Sequence, residues 1–250
     1  MLSVTVICRN EEDNIRGCLE SIKWADEIII VDSFSTDKTV SIAKEYTDKI
    51  FQKEWSGFAK QREFALSKAG EDWVFPLDAD ERCSPGLKEE IISAINSEDD
   101  CSGYRIPRKT FVLNRWIKHG GWYPGYQTRL FLRKKASVTD RLIHEGYEVS
   151  GKTGYFKNDI LHYTVTSISG YIRKINNYSS LQAVEKSEKK KVKLTDILFR
   201  PVATFIQQYF FRKSFLDGVQ GLMVANFDVI TNMLTYMKAW EIQHRTGKND

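Results

Sequence analysis

Three apolar, β-branched runs in the first third of the chain each end in acid, and helical spacing fills the stretches between them. The first, Leu2–Cys8, opens into Arg9-Asn-Glu-Glu-Asp13. The second, residues 27–31, runs into Asp32-Ser-Phe-Ser-Thr-Asp37, and the third, residues 73–77, into Asp78-Ala-Asp-Glu81. Short runs of Val and Ile bounded by polar residues read as buried strands. Ile15, Leu19 and Ile22 recur at helical spacing, with Asn10 as the expected N-cap. Further helices are expected over about 38–46 and 59–68, and a short strand over 50–53. Strand–helix alternation calls for a parallel sheet with helices on both faces. Ligands of such sheets bind beyond the C-terminal strand ends. Glu11, Asp32, Asp78 and Asp80 all fall at such ends, so three strands deliver acids to one rim.

Asp78, Asp80 and Glu81 stand too close together to ionise without a partner. A hard divalent ion, Mg²⁺ or Mn²⁺, suits carboxylate oxygens and keeps coordination positions for phosphate and water. The rim is therefore a candidate site for a nucleoside diphosphate and its metal. On those three residues alone, a solvated turn capping the helix near Pro85 is the commoner reading, and what precedes them changes the balance.

The motifs together resemble the family 2 glycosyltransferases with the GT-A fold. The resemblance is carried by Thr5-Val-Ile-Cys-Arg-Asn-Glu-Glu12, Ile30-Val-Asp-Ser-Phe-Ser-Thr-Asp37 and Leu77-Asp-Ala-Asp-Glu81. Tyr123-Pro-Gly-Tyr-Gln-Thr-Arg-Leu-Phe131 and Ile143-His-Glu145 are similar to the branch that includes the lipopolysaccharide-core glucosyltransferases. The resemblance implies an α/β fold with a mixed, Rossmann-like sheet and a helical C-terminal extension. It implies a metal-dependent, inverting transfer of a hexose from a nucleotide sugar, UDP-glucose or a relative, to a saccharide of a bacterial surface glycolipid. Asp32 is expected at the nucleobase or ribose with Glu11 nearby, and Asp78 at the ribose or diphosphate. Asp80 is expected on the metal. His162 is either a further metal ligand or a structural histidine. The family often carries Arg-Asn in the helix before the acidic strand. Here the pair is Arg62-Glu63, which keeps Arg62 for a phosphate and leaves the Asn role unfilled.

The acceptor hydroxyl must lose its proton as it attacks, and a carboxylate base contributes roughly 10²–10⁴-fold. Glu145 is the expected base, with His144 orienting it or the acceptor, and Asp140 next in line. Trp122 and Tyr123 offer flat faces for a sugar ring. Arg129 is the expected cation on the acceptor side.

The expected domains are 1–165, with a nucleotide-binding half (1–100) and an acceptor half (101–165), and a helical region over 166–250. Lys and Arg total 37 against 33 Asp and Glu, a formal charge of +4, which does not argue for nucleic acid. The four cysteines show no metal-ligand spacing, and no run of about eighteen apolar residues predicts a membrane span. A cytoplasmic enzyme is expected. The C-terminal region mixes Lys189-Lys-Lys-Val-Lys193 with Phe205, Tyr209, Phe210 and Phe211. It is expected to lie on an anionic membrane surface, or else to pack on protein, including a second copy of the chain. Two competing functions fit less of the sequence. A sugar-nucleotide nucleotidyltransferase needs a Gly-rich basic loop after the first strand, and a non-catalytic membrane scaffold needs no intact acidic rim. No Gly-x-Gly-x-x-Gly follows that strand, which excludes a dinucleotide-binding oxidoreductase.

Overall fold

The computed structural model describes residues 1–139 and 146–245. The chain opens with β1 (Leu2–Cys8), α1 (Ile15–Ile22), β2 (Glu27–Asp32), α2 (Thr39–Ala43), β3 (Ile50–Gln52) and α3 (Phe58–Lys68). It continues through β4 (Trp73–Asp78), β5 (Glu81–Cys83), α4 (Pro85–Ile95), β6 (Gly103–Ile106), β7 (Arg108–Val112) and β8 (Arg115–Trp116). There follow β9 (Gln127–Leu132), β10 (Ala136–Val138), β11 (Tyr147–Val149), β12 (Thr153–Tyr155) and β13 (Ile160–Val165). Three long helices close the chain: α5 (Ile168–Lys189), α6 (Leu194–Ile206) and α7 (Gly218–Arg245).

Two compact units emerge. The first holds Met1–Lys109 and Gly125–His162, and the second holds Thr110–Pro124 and Tyr163–Asp250.

The first unit is built on a seven-stranded sheet of order β12-β6-β9-β4-β1-β2-β3. The β4-β1-β2-β3 portion is parallel, and β9 runs antiparallel to both β4 and β6. A parallel core strand is covered on both faces, and its sequence accordingly lacks a solvent side. All six residues of β2 are buried, and on β1 Val4 and Val6 are fully so. Helix α1 buries Ile15, Cys18, Leu19 and Ile22 as its spacing predicts. At Gly17 on its other side a Cβ would stand 2.5 Å from Arg82 Nε, so only glycine lets that guanidinium lie there.

The β1 register positions the site. Cys8 at the end of β1 faces Asp32 on β2, and Ile7 faces Asp78 on β4. Two carboxylates thus flank the same strand end. One local expectation is corrected here. Asn10 does not cap α1: it takes a left-handed φ of 54°, which Asn tolerates better than most residues, and the helix starts at Ile15 behind Asn14. The Asn10 side chain instead accepts a hydrogen bond from Thr36 N at 2.8 Å.

In the second unit α5 and α6 pack on α7, and Ala183, Val192, Tyr236 and Ala239 form their shared core. Ser167 caps α5 by accepting from Gly170 N at 3.1 Å. A further cluster joins Val112, Ile117, Val165 and Val224.

Candidate active site at the acidic rim

The loops after β1 and β2 are laced together. Asn10 N donates to Ser35 Oγ at 2.8 Å, Glu11 N to Thr39 Oγ1 at 2.7 Å, and Glu12 N to Asp37 Oδ2 at 3.1 Å. Lys38 N returns a bond to Glu12 Oε2 at 3.1 Å. Several acids that look like free charge in the sequence therefore fasten backbone. Asp32 is fully buried and folds back on its own loop, accepting from Ser35 N at 3.0 Å and from the Ser35 hydroxyl. The Glu11 carboxylate accepts from Asn14 Nδ2 at 2.8 Å.

A chain of ions lies beneath the end of β4. Arg62, on α3, approaches Asp78 Oδ1 at 3.2 Å. Arg129, on β9, donates from Nη2 to Asp78 Oδ2 at 2.9 Å and to Glu81 Oε1 at 3.1 Å. Arg108 reaches the same Glu81 oxygen at 3.5 Å, and the other Glu81 oxygen accepts from Asp78 N at 3.0 Å. Burial alone would raise the Asp78 carboxyl, but Arg129 and Arg62 outweigh it and hold the group well below the usual carboxylate range. The same carboxylates hold Arg129 charged despite its burial. Tyr147 packs its ring at a tilt against Phe131, centroids 4.7 Å apart, and burial pushes its phenol up to about 12.

Asp80 has a partner on β13. β5 pairs with β13 so that His162 lies opposite Glu81, and this brings His162 Nε2 to 3.3 Å from Asp80 Oδ2. The Asp80 carboxylate is an oxygen donor of the kind Mg²⁺ or Mn²⁺ takes, and the imidazole beside it is a nitrogen donor better suited to a softer ion than Mg²⁺. Among the described residues, Asp99, Asp100 and Cys101 form a trio whose ligand atoms lie within 4.8 Å of one another. Its two acids are exposed and pair with Lys152 at 3.3 and 2.6 Å, far in sequence from the rim motifs.

The other expected site residues divide clearly. Arg129, expected at the acceptor, is only 4% exposed and spends its guanidinium on Asp78, Glu81 and the Pro76 carbonyl. It is placed to fix the acids. Trp122 and Tyr123 belong to the second unit. Trp122 packs against the Val112 cluster, and Tyr123 sets its ring edge-to-face on Trp116 at 5.2 Å. Both are half-buried. Asp140, His144 and Glu145 lie outside the described residues. Sequence reading missed Arg108 and Tyr147, since no local pattern separates them from other strand residues. It also missed the pairing of His119 Nδ1 with the buried Asp217 at 3.0 Å, ninety-eight residues away.

Residues 3–147 match the profile of Glycosyl transferase family 2. Over 96% of its length the chain is 29% identical to the lipopolysaccharide core biosynthesis glycosyltransferase LpsC of Rhizobium meliloti, covering 92% of that protein. It is 32% identical, again over 96% of its length, to a glycosyltransferase of Rickettsia bellii, covering 86% of it. The fold is similar to S. aureus TarS 1-349 in complex with UDP-GlcNAc, with a TM-score of 0.50 at 17% identity, covering 98% of this chain and 92% of that one. With this match across the rim-bearing unit, the chain belongs to glycosyl transferase family 2 and is a glycosyltransferase of the GT-A type of α/β fold.

Proposed function

We propose that the protein moves a hexose, with inversion, from a uridine-diphosphate sugar such as UDP-glucose to a saccharide of the lipopolysaccharide core. The observation that carries the donor half is the pairing of Asp80 with His162 at 3.3 Å at the end of β4, beside an Asp78 that Arg62 and Arg129 hold in place. Glu11, in the loop after β1, would meet the nucleoside, with the buried Asp32 at the β2 end fixing the adjoining loop through Ser35, and Arg62 would meet the diphosphate. Asp80 and His162 would hold Mg²⁺ or Mn²⁺, which when bound supplies positive charge against the departing diphosphate. Arg129 positions Asp78 and does not touch the acceptor. Glu145 takes the acceptor proton, and His144 orients it, with Trp122 and Tyr123 as aromatic faces for sugar. The acceptor class is supported by the name of the Rhizobium relative, and a uridine donor by the UDP-GlcNAc named with TarS. Nucleotide-sugar use supports a cytoplasmic site of action.

Calorimetry of UDP with and without Mn²⁺ tests the donor half. Binding should require the metal in the wild type and be lost in Asp80→Asn, with the fold retained. Equal UDP affinity in both proteins would overturn the assignment. Glu145→Gln should leave UDP binding in place and lower transfer by roughly 10²–10⁴-fold. Turnover within a few-fold of wild type would move the base elsewhere, with Asp140 next.

A further inference from the structure

Helix α6 wears its apolar side outward. Its inner positions are Asp196, Ile197 and Pro201, and the first and last of these are buried. Its outer positions are Leu194, Leu198, Phe199, Val202 and Ile206, exposed by 68, 55, 68, 57 and 43%. Their spacing of four, one, three and four residues draws one stripe along a helix. The stripe does not stop at the helix end. Phe210 and Phe211 are exposed by 57 and 78%, and Leu216 and Val219 by 52 and 64%. Helices of soluble proteins turn such a stripe to the core, and an exposed apolar patch of this extent marks a docking surface.

Charge along the stripe is mostly positive. Residues 189–222 hold seven Lys and Arg against two acids, Asp196 and Asp217. Both acids are buried, at 7 and 3% exposure, and Asp196 is already matched by Lys190 and Arg200, each at 2.8 Å. The outward cations, including Lys191, Arg212 and Lys213, border the apolar stripe at both ends.

We propose that the outer side of α6 and the corner leading into α7 form a docking face for an anionic lipid bilayer. Phe199, Val202, Phe210 and Phe211 enter the headgroup–acyl boundary while the bordering cations meet lipid phosphates. A second copy of the chain fits this face poorly, because pairing stripe to stripe would bring like-charged borders together. Phe205 and Tyr209 are not part of the inserted set. They stack on each other at 5.2 Å, half-buried, and brace the corner from inside. Among the described residues no helix is long and apolar enough to cross a membrane, so the contact is with the surface. The proposal is independent of the donor chemistry at the rim.

Sedimentation with phosphatidylcholine vesicles, with and without phosphatidylglycerol, tests it on the full chain. Binding should appear with phosphatidylglycerol and weaken as salt is added. Phe199→Gln with Phe211→Ser should lower partitioning by roughly tenfold or more, with an unchanged circular dichroism spectrum and unchanged UDP binding. Lys191→Gln with Lys213→Gln should remove part of the salt-sensitive share. Protein that stays in the supernatant with phosphatidylglycerol vesicles at low salt would overturn the proposal. So would sedimentation indifferent to the aromatic changes, or a dimer in analytical ultracentrifugation that those changes dissociate.

Discussion

Asp78 in the first unit and Asp228 in the second are both largely withdrawn from water, and their protons behave oppositely. Asp78 is held below the ordinary range because Arg129 and Arg62 outweigh its burial. Asp228, on α7, is pushed up to about 6 by burial, which the charge of Arg212 only partly offsets. Burial is common to both, and a partner in contact is not. The first unit matches Asp78 and Glu81 with arginines and buries the apolar side of its helix α1. The second leaves an acid desolvated and turns an apolar stripe outward. Carboxylates held by arginines are fixed and pre-charged, which suits the donor site proposed above. An outward apolar stripe has no such internal use.

Removing the shared cation tests this contrast most severely. Arg129→Leu should lower stability by about 3–5 kcal/mol, because it leaves Asp78 and Glu81 buried without their common partner. Urea denaturation measures it. A loss under about 1 kcal/mol would mean that water already screens the network and that the first unit is no more organised than the second.

The pH dependence should separate the two acids next. For Asp78 the folded proton affinity is depressed, so its stabilising contribution is present above about pH 4 and is lost as pH falls below that. For Asp228 the affinity is raised, so its contribution is full below about pH 4 and is lost as pH rises through about 6. Asp228→Asn, which mimics the neutral acid, should therefore stabilise by on the order of 1–3 kcal/mol at pH 8 and by nothing at pH 4. Thermal melts at the two pH values measure it. A gain of equal size at both would assign the effect to packing.

The contrast also explains what the sequence could and could not disclose. The strands of the first unit were legible because parallel strands buried on both faces must be runs of Val, Ile and Leu, as in β2. The acids at their ends were legible because a strand end fixes where they point. Their internal partners were not. Nothing near Asp78 announces Arg129, fifty-one residues on, and nothing near Asp80 fixes the distance to His162, which β5–β13 pairing decides. Asn10 was misplaced as a cap because the preference of Asn for caps and for left-handed turns looks the same in one dimension. In the second unit, the sequence predicts a helical region over 166–250 but carries no sign of which side of each helix faces out. On α6 the apolar stripe follows the ordinary rule for a core, and only the packing of Asp196 and Pro201 inward reverses it.

The smallest effect is the most telling for that reversal. Leu19 on α1 and Leu198 on α6 are the same residue at the same kind of helical position, at 0 and 55% exposure. Leu19→Ala should lose about 2–5 kcal/mol, as buried leucines do. Leu198→Gln should change stability by no more than about 0.5 kcal/mol, since an exposed side chain away from caps and networks contributes little to the fold. It should also raise solubility by shrinking the apolar patch. Urea midpoints of the two variants make the comparison. If Leu198→Gln costs more than about 1 kcal/mol, the stripe packs on protein in solution, and the two units would bury their leucines by the same rule. If it is neutral, α6 has been kept apolar outward against the usual pressure for solubility, and the reason must lie in what docks there.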